Sequence, residues 1–157
     1  MAGKVLTFAT NGYPGTISRS IDDVVESFAN VEASDAINFG AVVALDATNN
    51  GVVNVDADHL NIIGVAVRVA KTNNTYGVDD AKYNAKEMVD VIKRGTVIVA
   101  VSNGSPAAGG TVHVVKATGA IRTTQDSTNT VEMSNWKFKG AKDANGNAEI
   151  VLTERAF

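Results

Sequence analysis

The sequence predicts a mainly β fold: a single β-sandwich or barrel-like domain with an extended N-terminal arm and a long central loop. Three observations carry this. Short valine-rich runs recur about every ten residues, each bounded by turn residues, the spacing of an all-β domain. Hydrophobic residues make up 45% of the 157 positions while aromatics make up only 6%, so a core forms chiefly from valine, alanine and isoleucine. The breaks between runs are glycine- and asparagine-rich, the chemistry of tight turns. The length suits one domain and hardly two.

In order, Phe39–Leu45 is the first clear strand. It stops at Asp46–Gly51, where Asn50-Gly51 tolerates the positive φ of a turn, and Gly51–Val55 returns. Asn61–Val69 follows, with Gly64 marking a bulge or a close backbone approach. Val89–Arg94, then Gly95, then the β-branched run Thr96–Val101 come next. Ser102–Gly110 is a long turn; Thr111–Lys116 resumes as a strand and Thr118–Ile121 ends it. Thr123–Thr130 is a polar loop. A C-terminal hairpin over residues 136–153 pairs Trp136–Lys139 with Ala148–Leu152 around the turn Asp143–Asn147. Two segments break the pattern. Ile21–Phe28 fits either a short helix capped by Ser20, with Ser20-x-x-Asp23 as a weak capping box, or extended chain, and the extended reading is preferred. The polar stretch Lys71–Lys86 lacks a β period and is expected to be an excursion loop over residues 71–87. The expected division is an arm over residues 1–30 and a β body over 31–157.

A net charge of -3 argues against a general nucleic-acid binder. The absence of cysteine removes disulfides, thiolate metal sites and a cysteine nucleophile. MAGKVLTFATNG is not a secretory signal, and no apolar run approaches a membrane span of about 20 residues, so a soluble chain made in a cytoplasm is expected. Gly104–Thr111 mimics a phosphate-binding loop, but Gly110 stands where the lysine must meet the phosphates. His59 and His113 allow a Ser-His-Asp catalyst, yet there is no G-x-S-x-G, and a structural or exposed role is the better reading of each. Asp143, Asn145, Asn147 and Glu149 alternate as calcium ligands might be arranged, but Ala148 stands where the loop needs glycine. Asn73-Asn74-Thr75 fits a glycosylation triplet with no secretory context. Trp136 and Phe138 read as core or subunit contact ahead of a sugar platform. No catalytic residue, cofactor or metal is expected. Strands, glycine turns and two irregular extensions suit a protein that holds other proteins together, because extended segments cover much surface per residue.

One stretch is more specific. Gly12-Tyr13-Pro14-Gly15-Thr16-Ile17-Ser18-Arg19-Ser20 resembles the N-terminal arm of the structural cement proteins of tailed-bacteriophage heads. Further motifs are similar in the same order: Ile62–Ala66, the loop holding Tyr76 and Tyr83, Met88–Gly95, Gly109–Val114, and Trp136–Phe138 through Leu152. The resemblance covers most of the chain and implies a non-enzymatic capsid decoration protein. It would bind the outer surface of the virion capsid and join major capsid protein subunits of the expanded head. It would be made in the host cytoplasm and act as a homodimer or homotrimer, with no nucleic-acid or membrane partner. Tyr13, Pro14 and Arg19 would be contact residues of the arm, Tyr and Arg being common interface anchors, with Tyr76 and Tyr83 as a second contact. The rival readings are another β-rich virion part, such as a head-fibre base or tail-tube subunit, then a carbohydrate-binding module, then a hydrolase.

Overall fold

The computed structural model describes residues 11–32, 35–70 and 82–153. These contain strands and turns and no helix. The strands are β1 (Ile17–Ala29), β2 (Ile37–Asn38), β3 (Val42–Asp46), β4 (Gly51–Asn54), β5 (Ile62–Ala66), β6 (Lys82–Tyr83), β7 (Met88–Asn103), β8 (Thr111–Val115), β9 (Ile121–Arg122), β10 (Thr130–Phe138) and β11 (Asn147–Leu152).

The organising element is β7, 16 residues long. It runs straight through Gly95, so the two runs separated in the sequence reading are one strand. Its C-terminal half closes a ring: β7 pairs with β11, β11 with β10, β10 with β8, β8 with β9, and β9 with β7 in parallel. Its N-terminal half carries a second set, with β1 on β7 and then β5, β3 and β4 in antiparallel succession. Asn30 bridges Val52 in parallel, bringing the end of β1 back to β4. The small pair β2–β6 stands apart from this sheet.

Strand periodicity explains why the valine runs look apolar throughout. Successive side chains of a strand face opposite ways. Val42 and Ala44, Val53, Val65 and Ile92 face a large core with Val97, Val99, Val112, Val114, Trp136, Phe138 and Ile150. Their neighbours Val43, Val52, Ala66 and Val91 face a second core with Ile37, Phe39, Ile63, Tyr83 and Val89. Both faces of β3, β4, β5 and the first half of β7 are therefore covered, which leaves no polar alternation to see in the sequence.

Gly64 serves both roles expected of it. A Cβ there would collide with the Ile92 carbonyl oxygen, and the β3–β5 register slips between Val43 and Ala44. Ile21–Phe28 is extended, as preferred. It is not a free arm, however: from Ile17 the chain is a full strand on β7, running from Ile17 opposite Val97 to Ala29 opposite Met88. Its register shifts three times, between Ile17 and Arg19, between Arg19 and Val24, and between Val24 and Val25. The C-terminal hairpin forms with Trp136 opposite Leu152 and Phe138 opposite Ile150, and β10 begins earlier than expected, at Thr130. Of the expected central loop, Lys71–Ala81 lies outside the described residues, while Lys82 and Tyr83 form β6.

Candidate functional site

The stretch before β1 is a tight turn. Pro14 fixes its own φ, Gly15 adopts φ +83°, and the Thr16 N–H donates to the Tyr13 carbonyl at 3.1 Å. Proline then glycine with positive φ is the requirement of a type II turn. The turn is sewn into the body by its backbone. Gly15 N donates to Ile98 O (2.8 Å), Ile98 N to Thr16 O (2.9 Å) and Arg68 N to Gly15 O (2.7 Å). Two glycines make this approach possible. A Cβ on Gly15 would lie 2.7 Å from Gly40 N and 2.9 Å from Ala66 O, and one on Gly40 would lie 2.5 Å from Pro14 Cβ.

Upstream, Asn11 and Gly12 are tied to the C-terminal hairpin. The Asn11 backbone N–H donates to Asp143 Oδ2 (2.8 Å), its side-chain amide donates to Asn147 O (2.7 Å), and the Asn147 amide donates to Gly12 O (2.9 Å). The Asp143 carboxyl also accepts from the N–H groups of Asn145 and Asn147, both at 2.9 Å. These oxygens therefore cap a turn, which explains the residues that suggested calcium. Burial opposes ionisation of Asp143, but the N–H groups of Asn147, Asn11 and Asn145 outweigh it and hold the carboxyl below its ordinary value.

On this docked turn Tyr13 stands 72% exposed. The Arg68 guanidinium lies 5.2 Å from the centre of its ring and 5.1 Å from that of Phe39, while Arg68 Nε donates to the Pro14 carbonyl at 3.1 Å. Cation–π contacts of this kind favour one orientation of an exposed ring by about 0.5–1 kcal/mol. Beside the stack is a cleft of about 370 Å³, lined by Pro14, Phe39, Gly40, Ala100, Gly119 and Ala120 among others. Arg19 is further along, its side chain 64% exposed, with Nε 2.9 Å from Glu149 Oε1. Burial works against the Glu149 charge, but the hydroxyl of Ser18 and the guanidinium of Arg19 keep its carboxyl below the usual range.

The expected contact residues thus part company. Tyr13 and Pro14 share one turn, Arg19 has its own partner on β11, and Tyr76 lies outside the described residues. Tyr83 is a correction: at 2% exposure it is core, packed edge-on against Phe39 at 5.1 Å, with its hydroxyl donating to Val67 O at 2.6 Å. Burial pushes its phenol up to about 12. Trp136 and Phe138 are also core, at 4% and 1% exposure, so they make no sugar platform. His59 pairs with Asp56 at 2.9 Å, a bond that raises the imidazole above its ordinary value, and His113 is buried. Among the described residues no histidine, cysteine, aspartate or glutamate cluster suits a metal ion. Arg68 was missed. The available signal was a lone arginine in the apolar run Ile62–Val69.

The family described as "Structural cement protein (E217 gp24/Pam3 gp6)" matches residues 5–153. No curated protein matches the chain. Among solved structures, a chain of "The capsid of Myoviridae Phage XM1" superposes with a TM-score of 0.74 at 19% identity, covering 99% of this chain and 98% of that one. A likeness at that identity concerns the fold.

Proposed function

The chain belongs to the structural cement protein family of phages, and from that premise we propose that it binds the outer surface of the capsid and cements adjacent major capsid protein subunits, stabilising the expanded head without catalysis. The observation that carries this reading is the docked Tyr13–Thr16 turn, which holds a tyrosine 72% exposed on a rigid body. A large aromatic side chain costs water-ordering free energy when exposed, and the backbone that carries it is already held, so a partner that covers it gains area without ordering the turn. Pro14 stiffens the turn, Arg19 supplies a second, charged contact, and Tyr76 stays a candidate contact. The protein works as a homodimer or homotrimer, so that modest contacts to several capsid subunits add up through avidity. Its place is the virion exterior, after synthesis in the host cytoplasm.

The test is co-sedimentation with expanded, undecorated heads, with unexpanded procapsids alongside. Saturable binding to expanded heads at a fixed ratio per capsid subunit is expected, and a folded Tyr13→Ala, Arg19→Ala double variant should lose it. Failure of the unaltered protein to bind either form refutes the cement role; a double variant that binds normally refutes these contacts.

A further inference from the structure

Among the described residues, Arg68 has side-chain donors that no partner engages. A guanidinium offers five N–H donors in a planar fork. Here Nε serves the Pro14 carbonyl, and among the described residues no carboxylate pairs with Arg68 and no other hydrogen bond engages its side chain. The chain's other arginines with ion pairs, Arg19 and Arg94, have Glu149 and Asp22 respectively. The guanidinium carbon lies 5.2 Å from the centre of the Tyr13 ring and 5.1 Å from that of Phe39, contacts that favour this placement of the fork and reduce the side-chain freedom left to lose when it is engaged. The fork stands beside the cleft that Pro14, Phe39 and Gly40 share with Ala100, Gly119 and Ala120, and no charged residue lines that cleft. A cation that no carboxylate among the described residues pairs with, next to a cleft whose described lining carries no charge, complements one acidic side chain carried on a small-residue or extended segment.

We propose that Arg68 is the carboxylate receptor of this surface: an aspartate or glutamate of the major capsid protein pairs with the open edge of its guanidinium while the flanking segment lies in the neutral cleft. The proposal rests on the cement reading, and the capsid protein is the occupant because the fork is continuous with Tyr13, the anchor of that reading.

The experiment measures binding of the unaltered protein, Arg68→Gln and Arg68→Lys to expanded heads at two salt concentrations. Thermal melting and sedimentation of the free proteins run alongside. The unaltered protein should bind, and Arg68→Gln should bind about 30-fold more weakly, the loss typical of a central interface anchor. Arg68→Lys keeps the charge but loses the planar fork and its stacking on the rings, so it too should weaken binding. Should Arg68→Gln melt early, Arg68→Lys carries the test. The unaltered protein should also lose more affinity with added salt than Arg68→Gln does. Equal binding by all three, with the unaltered protein bound, overturns the receptor and leaves the cement role standing. Loss of the free oligomer in Arg68→Gln overturns the capsid occupant in favour of a second copy. A lowered melting temperature in both variants with unchanged head binding means that the fork serves its own chain, and overturns the proposal. No binding by the unaltered protein overturns both readings.

Discussion

Adding one methyl group at Gly40 should undock the Tyr13–Thr16 turn. Gly40 has φ +80°, where a side chain costs about 1–2 kcal/mol. The new Cβ would also lie 2.5 Å from Pro14 Cβ and 2.7 Å from Gly15 N. Contacts that close cannot stand, and relieving an overpacked site costs about 1–3 kcal/mol. Together Gly40→Ala should cost about 2–5 kcal/mol, or about 4–20 °C of melting temperature for a chain of this size. The body has one escape, which is to release the turn. The steric part is then capped by the backbone hydrogen bonds among Gly15, Thr16, Arg68 and Ile98, each worth about 1 kcal/mol net. Gly109→Ala is the matched control: Gly109 also has φ +80°, and nothing lies within 4 Å of an added Cβ. It should cost only the backbone part, about 1–2 kcal/mol. Melting curves of both variants give the difference, and amide exchange at Gly15, Arg68 and Ile98 shows whether it falls on the turn. If the two variants melt within about 1 °C of each other, the close approach of Gly15 and Gly40 does not hold the turn and the reasoning fails.

Two further outcomes follow from the geometry. Tyr83→Phe leaves the buried Val67 carbonyl without its phenolic donor and should cost about 1–2 kcal/mol by thermal melting, with head binding unchanged; reduced head binding would return Tyr83 to the contact surface. Asp143 should make the docking of Asn11 acid-sensitive: its folded value is depressed below 3.8, so its contribution is present above that value and lost as pH falls through the lower folded one. Protection of the Asn11 amide relative to its intrinsic exchange rate should therefore fall as the pH drops below 3.8, and Asp143→Asn should show low protection at neutral pH as well; protection in the unaltered protein that does not change with pH refutes the link.

The fold was legible where turn chemistry and β-branched runs coincide. Asn50-Gly51, Gly64 and the hairpin around Asp143 sit where the sequence puts them because each solves a local backbone problem. What was not legible is long-range. Nothing local says that Ile17–Ala29 pairs with β7, since Val24, Val25 and Phe28 fit a helix or a strand equally, and the contact that decides it is more than sixty residues away in sequence. Tyr83 misled for a similar reason. A tyrosine in a polar stretch reads as exposed, yet β6 pairs with β2 and turns that ring onto Phe39. Arg68 was hidden by its run: a strand reading absorbs one arginine without asking what its fork meets.

The docked turn also changes how a cement protein of this build would bind. A free arm must lose its backbone freedom when it meets the capsid, at about 1–2 kcal/mol for each residue ordered. Here residues 11–29 are already held, by Asp143 and Asn147 at one end, Ile98 and Arg68 in the middle and β7 along the rest. That entropy is lost on folding, so a contact through Tyr13 and Arg68 draws on its full interaction free energy at the capsid. Rigidity has a second consequence. A flexible tether would tolerate any spacing between capsid subunits, whereas anchors fixed to a closed β-ring match one spacing only. Under the cement proposal, discrimination between the expanded head and the procapsid would then be a matter of geometry. A variant that frees the turn, such as Gly40→Ala, should lose that discrimination as well as affinity, whereas one that only weakens a contact, such as Arg68→Gln, should lose affinity and keep it. Measuring both variants on both particles separates the two, and equal discrimination in Gly40→Ala would show that the docked turn is not what senses the spacing.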